Sequence, residues 1–391
     1  MKKNLLFLLL FLLGTSLASF AQKTIELSTE SLDVVLQRAK KEHKNVLFMG
    51  WASWCSHCAN MKANVLTDPA VAAFYNAHYI CAGQDMEKEP GLQLQQYFHV
   101  RNFPTFIFLD TGGRTLYRIA GEFDSKGFVE QGQNALDPEK QLPYLRSRFE
   151  ANVSNAAYCL DYIMALRMGY MNTEKAAKKY FAAIPPDSLL TAMSWRIFAN
   201  GISDLSSPEF RFALAHQKEY AAVASPERVK RKILAATFET LNNLAAARDT
   251  ANYFAQRAVV ADTKIYSVDS LLFYLDIDLY EKTGNWKAYE KATLQYVDLY
   301  AAANAIQLKN IAENYLLHVS DASGLKKATT WAQQSMAMWE NYLTGIVAAK
   351  LYRKLNDTND ALKMAGLAKT IAAKTGADAA EADKLLAELK Q

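Results

Sequence analysis

Cysteine is scarce in this chain of 391 residues: there are four, Cys55, Cys58, Cys81 and Cys159. A scaffold stapled by disulfides needs a far higher density, so the chain must fold on an apolar core. Apolar residues at 51% and aromatics at 12% are ample for one. Histidine is also rare, with six residues. No second CxxC and no closely spaced histidine pair accompanies Cys55 and Cys58, so the usual zinc patterns are missing. Ala59 directly after Cys58 excludes the covalent haem motif, which needs histidine there. Charge of one sign is lacking too. The formal +4 includes Lys2 and Lys3, and without them about +2 remains, no footprint for nucleic acid. After the first residues, no run is long and apolar enough to span a bilayer.

The N-terminus reads as a secretion leader. Lys2-Lys3 precede the apolar run Leu5–Leu13, and Ser19-Phe20-Ala21 is a small-x-small cleavage site. We therefore expect residues 1–21 to be a signal peptide and the mature chain to begin at Gln22, exported and periplasmic, or else secreted. In such a compartment a CxxC persists either as a small staple or as a working redox pair.

Cys55 and Cys58 lie in Trp51-Ala52-Ser53-Trp54-Cys55-Ser56-His57-Cys58. The apolar run Val46–Gly50 ahead of it predicts a buried strand, and Ala59–Leu66 behind it predicts a helix. Cysteines three apart in a first helical turn share one face, and free N–H groups there stabilise a thiolate on the first.

Around this motif the pattern predicts a helix over Ser28–Lys44, capped by Ser28 or Thr29, and another from Asp68-Pro69 with Val71 and Phe74 inward. A second strand covers His78–Cys81, a short helix Gly91–Phe98, and a third strand Phe106–Leu109. A turn at Asp110–Gly113 leads to a fourth strand, Arg114–Ala120, and a helix closes at Phe123–Leu136. The expected order is αβααβαββα.

That order, together with Trp51-Ala52-x-Trp54-Cys55-x-x-Cys58, Met61, Phe103-Pro104-Thr105 and Gly121, resembles the thioredoxin family over about Thr24–Leu136. The resemblance implies an α/β domain with a central mixed sheet flanked by helices, an exported form with an acidic insert at Gln84–Glu89, and thiol-disulfide exchange with protein substrates. It implies that Cys55 is the nucleophile and the more exposed cysteine, and that Cys58, one turn inside, is the resolving thiol. It implies a cis bond before Pro104 that leaves Phe103 backbone groups open to an extended substrate. Trp51, Trp54 and Ser56 would surround the pair, with Trp51 as a core residue alone the alternative, and His57 would tune the Cys55 thiolate or merely lie exposed. No cofactor beyond the Cys55–Cys58 disulfide and no metal is expected. The sequence departs from the family at two places. Met49 stands where many members carry a buried acid that serves the second cysteine, leaving water, His57, Glu122 or Asp85 to handle its proton. Ala59 replaces a frequent lysine. Cys81 and Cys159 fit buried positions, with a bridge between them left open.

Past Asp137-Pro138 the chain becomes Ala-, Leu-, Tyr- and Lys-rich and reads as helix after helix. We divide it into residues 22–138, thioredoxin-like; 139–270, helical; and 271–391, helical. In the last part Tyr280, Tyr315 and Tyr352 recur at about 35 and 37 residues, and Ala288, Ala328 and Ala361 open the following helices. This resembles tetratricopeptide repeats; an irregular bundle is the alternative. Met171–Ile184 and Pro208–Ala224 are also predicted as helices, and Gly376–Gln391 as a capping one. The expected partners are protein thiols and disulfides, an electron-exchange partner, and a protein held by the helical part. The competing reading is a scaffold that binds proteins without turnover.

Overall fold

The structure, a computed structural model, describes residues 24–390 except Lys264. The leader assignment lies outside the described residues. The chain forms two compact units that divide between Ile202 and Ser203.

The first unit opens with α1 (Leu32–Glu42), β1 (Asn45–Trp51) and the short α2 (Ser56–Asn60), which widens into a π turn over Met61–Val65. Then come α3 (Pro69–His78), β2 (Tyr79–Asp85), α4 (Gly91–Tyr97), β3 (Thr105–Leu109), β4 (Thr115–Ala120) and α5 (Ser125–Leu136). The strands make one sheet in the order β2-β1-β3-β4. β1 is parallel to β2 and antiparallel to β3, and β3 is antiparallel to β4. This is the expected αβααβαββα order and a mixed sheet.

β1 is central and buried on both faces, which explains why its sequence is an unbroken apolar run rather than an alternation. The period of two sorts its side chains. Leu47 and Met49 join Cys81, Phe106, Phe108 and Ile119 in one core, with Cys55, Cys58 and residues of α3 and α5. Val46 and Phe48 join Ile80, Ala82, Ile107 and Leu109 in the other, with Val35 and Ala39 of α1.

Several boundaries differ from expectation. Ser31, not Ser28 or Thr29, caps α1. Ser28 is taken by the sheet: its N–H donates to Cys81 O, and its carbonyl accepts from Gly83 N, both at 3.0 Å. Phe74 is half-buried; Tyr75 is the inward ring of α3, with its hydroxyl donating to Phe128 O at 2.7 Å. His78 ends α3 rather than starting β2. In the CxxC helix, Leu66 N bonds Met61 O at 2.9 Å, five residues back, which makes the wide turn.

Four further helices complete this unit: α6 (Leu142–Ala151), α7 (Ala156–Met168), α8 (Glu174–Ala183) and α9 (Ala192–Gly201). α6 and α7 lie against β4. There Arg118, 4% exposed, reaches the Phe98 and His99 carbonyls with its two Nη atoms at 2.5 and 3.3 Å. A side chain at Gly169 would lie 2.8 Å from Arg118 Cγ, so the backbone approaches closely there.

The second unit is helical: α10 (Pro208–Ala215), α11 (Gln217–Val223), α12 (Pro226–Ala246), α13 (Thr250–Ala261), α14 (Tyr266–Thr283), α15 (Trp286–Tyr300), α16 (Ala305–His318), α17 (Ala322–Met338), α18 (Tyr342–Lys354), α19 (Thr358–Thr375) and α20 (Ala380–Leu389). The single helix expected over Pro208–Ala224 is broken at His216. Tyr280, Tyr315 and Tyr352 fall in α14, α16 and α18, with Tyr315 fully buried and the other two half-buried. Trp331, Tyr289 and Tyr315 are core residues. Asp276 is buried but answered by Arg257 Nη2 and the Tyr253 hydroxyl at 2.8 and 2.9 Å.

Candidate functional site

The end of β1 delivers Trp51 and Ala52, and the next turn places Cys55 at the N-cap of α2. Its Sγ accepts from Cys58 N at 3.1 Å. Cys55 and Cys58 form a disulfide with Cα atoms 5.2 Å apart, within the span a first helical turn offers. Cys55 is the more exposed of the pair, as expected, but only slightly: it is 5% and Cys58 2% exposed, because the apolar core of the sheet face reaches up to both. The residues between, Ser56 and His57, are exposed.

The Phe103–Pro104 peptide is cis. Pro104 is buried and Phe103 half-buried. Pro104 O accepts from Gly121 N at 2.9 Å, while among the described residues no backbone hydrogen bond engages Phe103. The Phe103 ring meets Trp54 edge-on at 6.1 Å. Trp54 is 69% exposed, and its Nε1–H donates to Glu87 Oε2 at 2.8 Å. The acidic insert thus starts inside β2 and then turns to hold the indole. A second cis bond, Glu89–Pro90, lies in that insert; nothing in the motif reading pointed to it.

His57 Nδ1 is bonded to Glu122 Oε2, and Asn60 Nδ2 donates to Glu122 Oε1. Asn64 Nδ2 donates in turn to Asn60 Oδ1. The hydrogen bonds from His57 and then Asn60 hold the Glu122 carboxyl below its ordinary pKa. On the other side, Lys62 Nζ sits 3.2 Å from the Trp51 ring centroid. Burial depresses the Lys62 pKa, with Asp85 acting in the opposite sense. Burial works against the Asp85 carboxylate, but the Glu87 N–H and the Lys88 ammonium, each 3.1 Å away, bring its pKa below the ordinary value.

Met49 is fully buried beneath the pair. It shares that core with Leu47, Phe106 and Phe108, while His57 and Glu122 are exposed and Lys62 and Asp85 half-buried. Sequence reasoning missed Asn60, Asn64 and Lys62; the signal available was their position within two turns after Cys58. Cys81 and Cys159 are free and buried, with no bridge between them, and burial pushes both thiols up to about 12. Among the described residues no group of three His, Cys, Asp or Glu side chains could hold a metal ion, and no helix is long and apolar enough to cross a membrane.

Residues 32–135 match the family model of the thioredoxin-like domain. Over 134 residues the chain is 29% identical to a protein disulfide-isomerase of Datisca glomerata, spanning 32% of this chain and 25% of that one. Over 107 residues it is 31% identical to the thiol:disulfide interchange protein DsbD 1 of Pseudomonas aeruginosa, spanning 27% of this chain and 18% of that one. Over 106 residues it is 26% identical to the disulfide bond reductase DsbH of Chlamydia pneumoniae, spanning 25% and 64% respectively. The chain thus covers a quarter or less of the first two relatives. Its N-terminal part is a thioredoxin-like domain carrying a CxxC disulfide, and a helical region follows.

Proposed function

We propose that this chain is a thiol-disulfide oxidoreductase that works through Cys55 and Cys58. The observation that carries the reading is the disulfide at the N-cap of α2, in one core with Phe103, which precedes a cis Pro104 and, among the described residues, has no backbone hydrogen bond. In the reduced protein, the Cys55 thiolate attacks one sulfur of a substrate disulfide. A mixed disulfide forms, and the other substrate sulfur leaves as a thiolate. Cys58 then attacks the Cys55 sulfur, closing the Cys55–Cys58 bond and releasing the second substrate thiol. Two electrons pass to the substrate; the reverse sequence oxidises a dithiol. The Cys58 N–H that reaches Cys55 Sγ is a ready donor for the thiolate at the positive end of the helix. Phe103 would pair with an extended substrate, and Trp54 would cover its flank.

The leader-like start supports export to the periplasm, where protein thiols and a separate electron-exchange partner would be met. The helical region would hold a substrate or partner, in the manner of tetratricopeptide repeats. Insulin reduction and dithiol oxidation by the full chain, compared with Cys55→Ser, test the activity. Loss of turnover in the variant is expected; equal activity in both proteins would overturn the enzyme reading, and turnover no higher than background in both would leave a binding scaffold instead. The reduction potential of the pair then sets the physiological direction.

A further inference from the structure

The motif's histidine is not free at the rim: a carboxylate from the far side of the sheet is bound to it. Glu122 follows Gly121, whose φ of +106° and N–H bond to Pro104 O at 2.9 Å fix where the next residue leaves β4. From there Glu122 takes His57 Nδ1 on one oxygen and Asn60 Nδ2 on the other, and Asn64 holds Asn60. Its side chain is 34% exposed, against 67% for His57.

We propose that Glu122 is a positioning residue for the redox pair: through His57 it restrains how oxidising the Cys55–Cys58 couple is. The inference rests on the oxidoreductase reading above. A cationic His57 in the first turn of α2 would stabilise a Cys55 thiolate, and a better-stabilised thiolate makes the disulfide more oxidising. A carboxylate bound to that imidazole places the opposite charge beside it, so Cys55 faces a dipole in place of a cation. Asn60 keeps the carboxylate from swinging away, and the hydrogen bonds from His57 and Asn60 keep it ionised. The other charges around the pair are held elsewhere. Lys62 stands over Trp51, opposed by Asp85, while Glu87 is on Trp54. None of these contacts involves Glu122.

The test is the glutathione equilibrium of Cys55–Cys58, with the Cys55 thiolate titration, in the full chain at about pH 6. Wild type, Glu122→Gln, His57→Ala and the double variant are compared. Glu122→Gln is expected to shift the equilibrium toward the dithiol by about threefold or more and to lower the Cys55 pKa. In the His57→Ala background the same change is expected to act less than half as strongly, and Glu122→Asp to retain most wild-type behaviour. No shift in Glu122→Gln, or a shift at least half as large without His57, overturns the inference alone. A wild-type pair that does not exchange reversibly with glutathione overturns the oxidoreductase reading with it.

Discussion

Met49 stands directly across the β1–β2 ladder from Gly83, and the Trp51 indole closes the space above the glycine. A Cβ built at Gly83 would lie 2.4 Å from Trp51 Cζ3 and 2.5 Å from the Met49 carbonyl. The layer behind the cysteines is therefore filled by a thioether and a ring, with no room for a longer side chain opposite. Gly83→Ala must push backbone or indole aside, and we expect a loss of about 1–3 kcal/mol, typical of overpacking. Urea unfolding measures it. An unchanged midpoint would mean that Trp51 moves freely and does not seal the site.

Surroundings, more than exposure, separate the four thiols: Cys55 lies at the N-cap of α2 with the Cys58 N–H on its sulfur. Cys81 and Cys159 are enclosed, with their pKa values pushed up to about 12 by desolvation, so at pH 7 only about one in 10⁵ is a thiolate. After mild reduction, iodoacetamide in native buffer should label Cys55 and leave Cys81 and Cys159 unmodified until denaturant is added. Peptide mass spectrometry reads the sites. Native labelling of Cys159 would show that α7 opens locally.

How much of this was legible in the sequence follows from the range of each interaction. β1, the CxxC turn and the hairpin between β3 and β4 are local patterns of apolar runs and turn residues, and they were found to within one or two residues. Ser28 was misread because its partners, Cys81 and Gly83, are over fifty residues away, and a serine before a helix has the same local look whether it caps or pairs. The identity of the cis-proline came only through the family resemblance, since nothing in the Phe103-Pro104 spacing distinguishes cis from trans. The sequence offers Glu122 among the groups able to serve Cys58. Its bond to His57 needed the fold, because it depends on how β4 ends relative to α2. That Cys55 is the more exposed of the pair follows from its place at the helix N-terminus; how little of either sulfur is exposed needed the fold, because the core extends to the disulfide.

Asp68 caps α3: its carboxylate accepts from Ala70 N at 2.8 Å and Val71 N at 3.3 Å. A hydrogen bond from Ser125, and then those two N–H groups, lower its pKa from the ordinary 3.8. A carboxyl whose folded pKa is depressed stabilises the fold above its unfolded value and loses that contribution as pH falls through the folded value. Asp68→Ala should thus be less stable than wild type at neutral pH, and its stability should fall less on acidification from about pH 5 to about pH 2. Urea midpoints across this range decide it. Parallel curves for the two proteins would mean that the Asp68 carboxylate is not selectively held in the folded state.

Exposure does not say which cysteine attacks, since both are buried, but position does. Cys55 occupies the N-cap, with the Cys58 N–H aimed at its sulfur, whereas Cys58 lies inside α2, in the core that also holds Met49 and Met61. A thiolate is favoured at the first place and desolvated at the second. In Cys58→Ser, attack by Cys55 proceeds but nothing closes the cycle, because the remaining thiols, Cys81 and Cys159, are buried. Mixed disulfides with a substrate should therefore accumulate on Cys55 in Cys58→Ser and be absent from Cys55→Ser. Intact-mass spectrometry after incubation with an excess of a small disulfide reads both variants. Adducts on Cys58 in the Cys55→Ser protein, with none on Cys55 in its counterpart, would reverse the assignment and with it the electrostatic argument built on the first turn of α2.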